Sequence, residues 1–289
     1  MHVPVMAGEA LEYLAVRPAG VYLDATCGLG GHTGAIARRL STGIVIANDR
    51  DAESLELARR NTAECADRIR FHHGPFSRLD QALAGAGVER VNGLLADLGV
   101  SRYQLTGAER GFSMMAEGPL DMRMDRTQPL TASDIVNHSA EKALADLIYQ
   151  LGEERRSRRI ARAIVRARPI RSTTHLASVV ELAAPRTGKI HPATQTFMAL
   201  RLAVNRELDE LDALLALAPR LMAPGGRIVV ITFMSLEDRR VKQGFQALVR
   251  GKRAVALTRH VVKPADEEIR ENPPSRSAKL RAVEMVGGS

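Results

Sequence analysis

The segment D-A-T-C-G-L-G-G-H-T-G, Asp24 to Gly34, follows directly on the apolar run Val21-Tyr22-Leu23. A glycine-rich turn after a strand lets the backbone approach a ligand, and a helix opening behind it offers unpaired N–H groups. A dinucleotide fingerprint begun at Gly28 and Gly30 requires glycine at position 33, where Thr33 stands instead. The spacing Asp24-x-x-x-Gly28-x-Gly30 suits a nucleotide-like ligand without a pyrophosphate, such as S-adenosylmethionine. About twenty residues on, the run Ile44 to Asn48 is followed by Asp49, an acid suited to accepting both hydroxyls of a ribose. A third carboxylate, Asp97, closes the run Val91 to Asp97. In open α/β sheets ligands bind at the carboxyl ends of the strands, so Asp97 is a candidate for the chemistry, for a cofactor contact or for a strand-end cap.

These residues need a sheet to carry them. Apolar runs at Val21 to Ala25, Ile44 to Asn48, Arg68 to His72 and Val91 to Asp97 alternate with helical patterns at Gly34 to Leu40 and Ala52 to Asn61. That alternation predicts an α/β fold with a parallel sheet. After Gly99 the pattern changes. Ser101 to Asp125 reads as loop, followed by helical segments without a convincing strand. Leu144, Leu147, Ile148 and Leu151 share one helix face, with Gly152 placed as a C-terminal cap. A second helix runs from Glu153 and stops near Pro169, and a third spans Leu176 to Ala184. Pro192 opens a long helix with apolar positions from Phe197 through Leu215. The turn A-P-G-G-R then delivers the β-branched run Ile228 to Phe233. Ala254 to Val262 and Lys279 to Val286 are expected to close the sheet as an antiparallel pair. The resulting divisions are residues 1–104, 105–200 and 201–289, the middle one an inserted helical domain.

Composition narrows the function classes. At 289 residues and 45% hydrophobic content the chain can bury a real core. No apolar run approaches the roughly 18 residues of a membrane helix, and the start M-H-V-P-V-M-A-G-E lacks signal-peptide features. The expected location is the cytoplasm, away from any membrane. Two cysteines without a C-x-x-C pair indicate neither a disulfide framework nor a structural metal site. A net charge of +8 favours a polyanionic partner, while 3% aromatic residues argue against a base-stacking platform. Arg155, Arg159, Arg162 and Arg166 recur at helical spacing, as a phosphate-reading stripe or a solvated basic face. Arg276 and Lys279, in S-R-S-A-K-L-R, form a second basic candidate.

The chain also carries H-G-P-F-S (His73 to Ser77), L-A-D-L-G-V-S (Leu95 to Ser101), E-R-G-F-S-M (Glu109 to Met114) and G-P-L-D-M-R-M-D (Gly118 to Asp125). Further on stand G-E-E-R (Gly152 to Arg155), H-P-A-T-Q-T-F (His191 to Phe197), S-L-E-D-R (Ser235 to Arg239) and N-P-P-S-R-S-A-K-L-R (Asn272 to Arg281). Together and in this order they resemble the MraW/RsmH family of bacterial S-adenosylmethionine-dependent methyltransferases. G-P-L-D-M-R-M-D is the most distinctive member of the set, and the resemblance covers nearly the whole chain.

The resemblance implies a class I, Rossmann-like methyltransferase sheet with an inserted all-helical domain. The implied activity is methylation of the N4 amine of a cytidine in 16S ribosomal RNA of the small subunit. By motif matching the implied cofactor contacts fall on Gly30, Gly31, His32, Asp49, Phe76, Asp97 and Gln104. Where the family usually reads S-F-H-S-L-E-D-R, this chain has T-F-M-S-L-E-D-R, with Thr232 and Met234 in place of serine and histidine. Asp97 is the candidate catalytic residue, as a carboxylate that accepts an N–H of the amine and localises its lone pair. Asp121, Arg123 and Asp125 are either a substrate clamp or a salt-bridged connector. Glu237, Asp238 and Arg239 either close the pocket or cap a helix start. Two rival classes are a non-catalytic RNA-binding assembly factor with a retained cofactor pocket, for which Met234 leaves room, and a nicotinamide oxidoreductase, which Thr33 opposes.

Overall fold

The computed structural model describes residues 4–186 and 191–287. It divides into two compact units, one formed by residues 1–99 with 209–289 and the other by residues 100–208. These divisions differ from the expected boundaries at 104/105 and 200/201 by five and eight residues.

Among the described residues the first unit carries a seven-stranded sheet: β1 (Val21–Asp24), β2 (Ile44–Asp49), β3 (Ile69–His73), β4 (Val91–Asp97), β5 (Met222–Thr232), β6 (Ala254–Ala256) and β7 (Lys279–Met285). Their order is β3-β2-β1-β4-β5-β7-β6, with β7 antiparallel to both neighbours and β1 to β5 parallel. This is the class I, Rossmann-like methyltransferase sheet. Val45, Ile46 and Ala47, and likewise Val229, Val230 and Ile231, are all buried, because a central parallel strand is covered on both faces. One face packs Leu23, Ile46, Leu94 and Val230 against α4 (Leu79–Gly85), α11 (Glu207–Leu221) and α12 (Ser235–Arg250). The opposite face packs Tyr22, Val45, Leu95 and Val229 with α1 (Ala7–Leu14), α2 (Gly31–Ala37) and α3 (Ala52–Asn61). Near the end of the chain, α13 (Asp266–Glu271) precedes β7.

The second unit contains α5 (Arg102–Thr106), α6 (Ala132–His138), α7 (Glu141–Gly152), α8 (Ser157–Arg166), α9 (Thr173–Ala183) and α10 (Thr194–Val204), with no strand among the described residues. Leu144, Ile148, Ile160, Ile164, Leu176, Phe197 and Leu200 form its separate core. No helix among the described residues is long and apolar enough to cross a membrane.

Several local expectations change. Helix α2 begins at Gly31 rather than Gly34, since Gly30 takes a left-handed φ of 87° and turns the chain directly into the helix. The long helix expected from Pro192 is two helices, α10 and α11, divided at Asn205 and Arg206, whose φ is 48°. Asn205 is fully buried; its amide donates to the Met122 and Arg201 carbonyls and accepts from Met124 N–H, a tertiary contact that overrides apolar periodicity. The A-P-G-G-R turn lies inside β5 as a bulge, where Val91 pairs with Met222 and Gly93 with Arg227. Gly152 does not cap α7; Glu153 takes the left-handed position, and α8 starts only at Ser157. A side chain at Gly152 would meet the Gln195 carbonyl at 2.5 Å, so this glycine serves the close approach of α7 to α10. β6 stops at Ala256, and Val262 keeps only an isolated bridge to Leu280.

Candidate active site

Three adjacent parallel strands, β2, β1 and β4, end in Asp49, Asp24 and Asp97, which brings the three carboxylates to one edge of the sheet. Asp24 is fully buried and accepts from the Thr33 hydroxyl at 2.7 Å and from Thr26 N–H at 3.1 Å. Burial pushes its carboxyl above the usual range, opposed by His32, the Thr33 hydroxyl and Thr26 N–H. Thr26 in turn accepts the Asp97 backbone N–H at 2.7 Å, tying the loop after β1 to the end of β4. Asp24 thus braces the loop from inside, an arrangement in which it is not itself a ligand.

The glycine loop is held by β2. Gly28, with φ 52°, donates its N–H to Asp49 Oδ2 at 2.7 Å, while Asp51 N–H donates to Asp49 Oδ1 at 2.9 Å. Burial pushes the Asp49 carboxyl up to about 6, against the lowering effect of both backbone N–H groups. The preceding residue, Asn48, is fully buried, and its amide donates to the Ala25 and Gly74 carbonyls at 3.1 Å each. Its Oδ1 lies 2.8 Å from His72 Nδ1. Asn48 therefore fastens the ends of β1 and β3 to β2. Sequence reading passed over it, although it stands beside Asp49 in A-N-D-R-D; an amide in an otherwise apolar strand was the available signal.

Gly30 and Gly31 are required for packing as well as for turning. A Cβ on Gly30 would lie 2.8 Å from Thr62 Cγ2, and one on Gly31 3.1 Å from Pro4 Cβ. The first-turn N–H groups of α2, at Gly31, His32 and Thr33, have no partner within the helix. Phe76, half-buried in a short 3-10 turn after β3, is placed by Ser77, whose N–H and hydroxyl donate to Glu210 of α11 at 2.9 and 3.1 Å. At the end of β4, Asp97 Oδ2 lies 3.6 Å from His32 Nε2. Glu268 of α13 accepts Met6 N–H at 2.8 Å, and burial raises its carboxyl. Neither Glu210 nor Glu268 stood out in the sequence, because each acts across more than a hundred residues of chain.

With this geometry in view, the chain matches the family model of the MraW methylase family over residues 1–286. The chain belongs to the MraW methylase family. It is 67% identical to the ribosomal RNA small subunit methyltransferase H of Solibacter usitatus, over 99% of this chain and all of the relative. Identity is 51% to the protein of the same name from Koribacter versatilis, over 98% of this chain and 93% of the relative. A third namesake, from Sorangium cellulosum, is 48% identical over 100% of this chain and 92% of its own length.

In this MraW methylase, Met234 immediately precedes α12 and is 9% exposed. The buried Glu237 accepts the N–H groups of Phe233 and Met234, both at 3.1 Å, and Asp238 pairs with Arg281 at 2.7 Å. Of the two readings of S-L-E-D-R, helix-start capping fits these contacts. In the helical unit, Arg123 makes a bidentate pair with Asp121 and spends its remaining nitrogen on the Arg126 and Gln128 carbonyls. These salt-bridged contacts are internal to the helical unit and leave Arg123 fully engaged there. Met122 holds a φ of 59°, fixed by Asn205 and by the buried Arg110, which donates to the Arg123 and Met124 carbonyls. Gln104 is also in the helical unit, 5% exposed, with Oε1 accepting Ser101 N–H in a capping box.

Arg155, Arg159, Arg162 and Arg166 are all exposed on and just before α8. Arg162 makes an exposed 3.5 Å pair with Glu141 of α7. Arg156 and Arg168, by contrast, are structural, donating to the Pro185 carbonyl and to the Val136 and Ser139 carbonyls. In the sheet unit Arg276 is exposed, whereas Lys279 lies 3.8 Å from Asp238.

Proposed function

We propose that this MraW methylase transfers a methyl group from S-adenosylmethionine to the exocyclic N4 amine of a cytidine in 16S ribosomal RNA of the small ribosomal subunit. The observation that carries this reading is the convergence of Asp49, Asp97 and the left-handed glycine loop at one edge of the sheet. The family and the names of the relatives support ribosomal RNA as the substrate.

The residues fit the cofactor. Gly28 and Gly30 keep side chains off the turn, and the open first turn of α2 offers N–H groups, including those of Gly31 and His32. Each Asp49 oxygen retains acceptor capacity beyond its one backbone N–H and suits a ribose hydroxyl. Phe76 supplies an apolar ring for the adenine, and Gln104 belongs to the same family set. When bound, S-adenosylmethionine supplies an electrophilic methyl group on a sulfonium.

The protein's task is then largely positioning, which contributes ~7–11 kcal/mol in well-oriented systems. Cytosine N4 is a weak nucleophile because its lone pair is delocalised into the ring. Asp97 accepts one amine N–H, localises the lone pair and balances the positive charge that develops on nitrogen. Its backbone N–H is held by Thr26, which fixes the end of β4 from which the carboxylate projects. Arg155, Arg159, Arg162 and Arg166, with Arg276 and Lys279, contact phosphates of the folded RNA, where shape outweighs base reading. The site of action is the cytoplasm, where small subunits are assembled.

The test is incubation of methyl-labelled S-adenosylmethionine with small subunits lacking the modification, followed by nucleoside digestion and mass spectrometry. Labelled N4-methylcytidine, lost in Asp97→Ala, is the expected result. Label on no nucleoside, despite measured cofactor binding, would instead support an RNA-binding assembly factor, the reading that Met234 in place of the family's usual histidine leaves open.

A further inference from the structure

We propose that His32 is a positioning residue for Asp97, its imidazole standing behind the carboxylate to hold the charge and orientation of Oδ2 toward the acceptor amine. The proposal rests on the methyl-transfer reading above and gives a role to a side chain that the reading leaves unused.

The imidazole is turned into the protein. His32 is 4% exposed, and both ring nitrogens are buried without a hydrogen-bond partner. Both atoms are shielded from the surface, which places the imidazole to act through its neighbours. Nε2 stands 3.6 Å from Asp97 Oδ2, a distance for an ion pair rather than a hydrogen bond. Asp97 Oδ1 is also buried and unpaired, while the side chain as a whole is 22% exposed. Oδ2 is therefore the oxygen left to meet a substrate, and it is the one nearest His32.

The surroundings favour a cation at His32. Asp97 faces it from β4, Asp24 from β1 and Glu268 from α13, and the Val5 backbone lies beside the ring. Glu268 in turn feels Glu9 of α1. All the charged groups named here are acids. Burial alone would lower the imidazole pKa, but Asp97 and Asp24, together with the Val5 backbone, more than offset it and the net direction is upward. A cation behind a carboxylate favours its ionised form, which is the form that accepts an amine N–H.

Two measurements test this. Histidine-selective 15N labelling and NMR titration, with His32 assigned by its loss in His32→Gln, reads the pair without any turnover. The His32 midpoint should fall by about one pH unit or more in Asp97→Asn, with Asp97→Ser as a second variant where the first is unstable. An unchanged midpoint in a folded variant overturns the proposal. The second measurement is single-turnover methyl transfer at saturating cofactor, from about pH 6 to about pH 9, beside cofactor affinity by calorimetry. The wild-type rate should decline on the alkaline side with the NMR midpoint. His32→Gln should lack that limb and run about tenfold slower near neutrality, with cofactor affinity held within about threefold. A cofactor affinity weakened by about tenfold or more with an unchanged rate at saturation would make His32 a cofactor contact and sink the proposal. No transfer by the wild type at any pH would overturn the methyl-transfer reading itself, while the NMR titration still decides the coupling.

Discussion

Asp49 Oδ2 accepts the backbone N–H of Gly28 at 2.7 Å, so the acid at the end of β2 shapes the loop at the end of β1. One carboxylate thereby fixes the glycine turn and presents its remaining acceptor capacity at the same edge.

That double use sets a pH dependence. The Asp49 carboxyl is pushed up to about 6, chiefly by burial. Above that pH it is ionised and accepts from backbone and ribose alike; as pH falls through it, the group takes up a proton and loses acceptor strength. S-adenosylmethionine affinity is expected to be level at neutral pH and to weaken below about 6. The folded carboxyl holds its proton more tightly than an unfolded one, so its contribution to stability diminishes as pH rises from the ordinary carboxylate range toward 6. Calorimetric titration across this window should show the affinity change, and Asp49→Asn should flatten it.

Gly30 offers a conformational test. Its φ of 87° and the 2.8 Å approach of a Cβ to Thr62 Cγ2 make Gly30→Ala doubly unfavourable. Strain of this kind costs about 1–3 kcal/mol. Gly31→Ala, where φ is unremarkable and the nearest atom is Pro4 Cβ at 3.1 Å, should cost less. Denaturant midpoints of the two variants should fall in that order; equal losses would mean that the left-handed turn carries no special cost.

Asn48→Leu probes the fastening of the strand ends. The substitution keeps approximate volume but leaves the buried Ala25 and Gly74 carbonyls without their donor. An unsatisfied buried polar group costs about 1–3 kcal/mol, so loss of stability is expected together with weaker cofactor binding, because the loop after β1 is released. Thermal midpoints and affinity should drop together.

The arginine face separates RNA binding from cofactor binding. Arg155, in the turn before α8, and Arg159 and Arg166 on it are exposed, and their joint replacement by alanine should weaken RNA binding and lower its salt slope by about one for each phosphate no longer neutralised. Cofactor affinity should not move. A salt slope identical to the wild type would return these residues to an ordinary solvated helix face.

The sequence resolved some elements to the residue. Val91–Asp97 and Ala52–Asn61 appear with the expected bounds, since an apolar run closed by an acid and an Asp51 cap are local signals. What remained hidden is tertiary. The break at Asn205 depends on the Met122 carbonyl and the Met124 N–H, which no local pattern reveals. The early start of α2 depends on Gly30, whose permissive backbone reads equally as turn or helix entry. Within the candidate site, the sequence identified the acids at the strand ends, but Asn48, Glu210 and Glu268, which fasten the surrounding loops and strand ends, act through distant partners.

Strand order has a consequence for synthesis. β5 and everything after it follow the whole helical unit in the chain, so the β4 edge waits unpaired while those residues are made. The final strand is also an interior one, lying between β5 and β6. A ribosome that stops short of Lys279 therefore releases a chain whose sheet lacks two strands rather than one, because β6 has nothing to join until β7 has arrived.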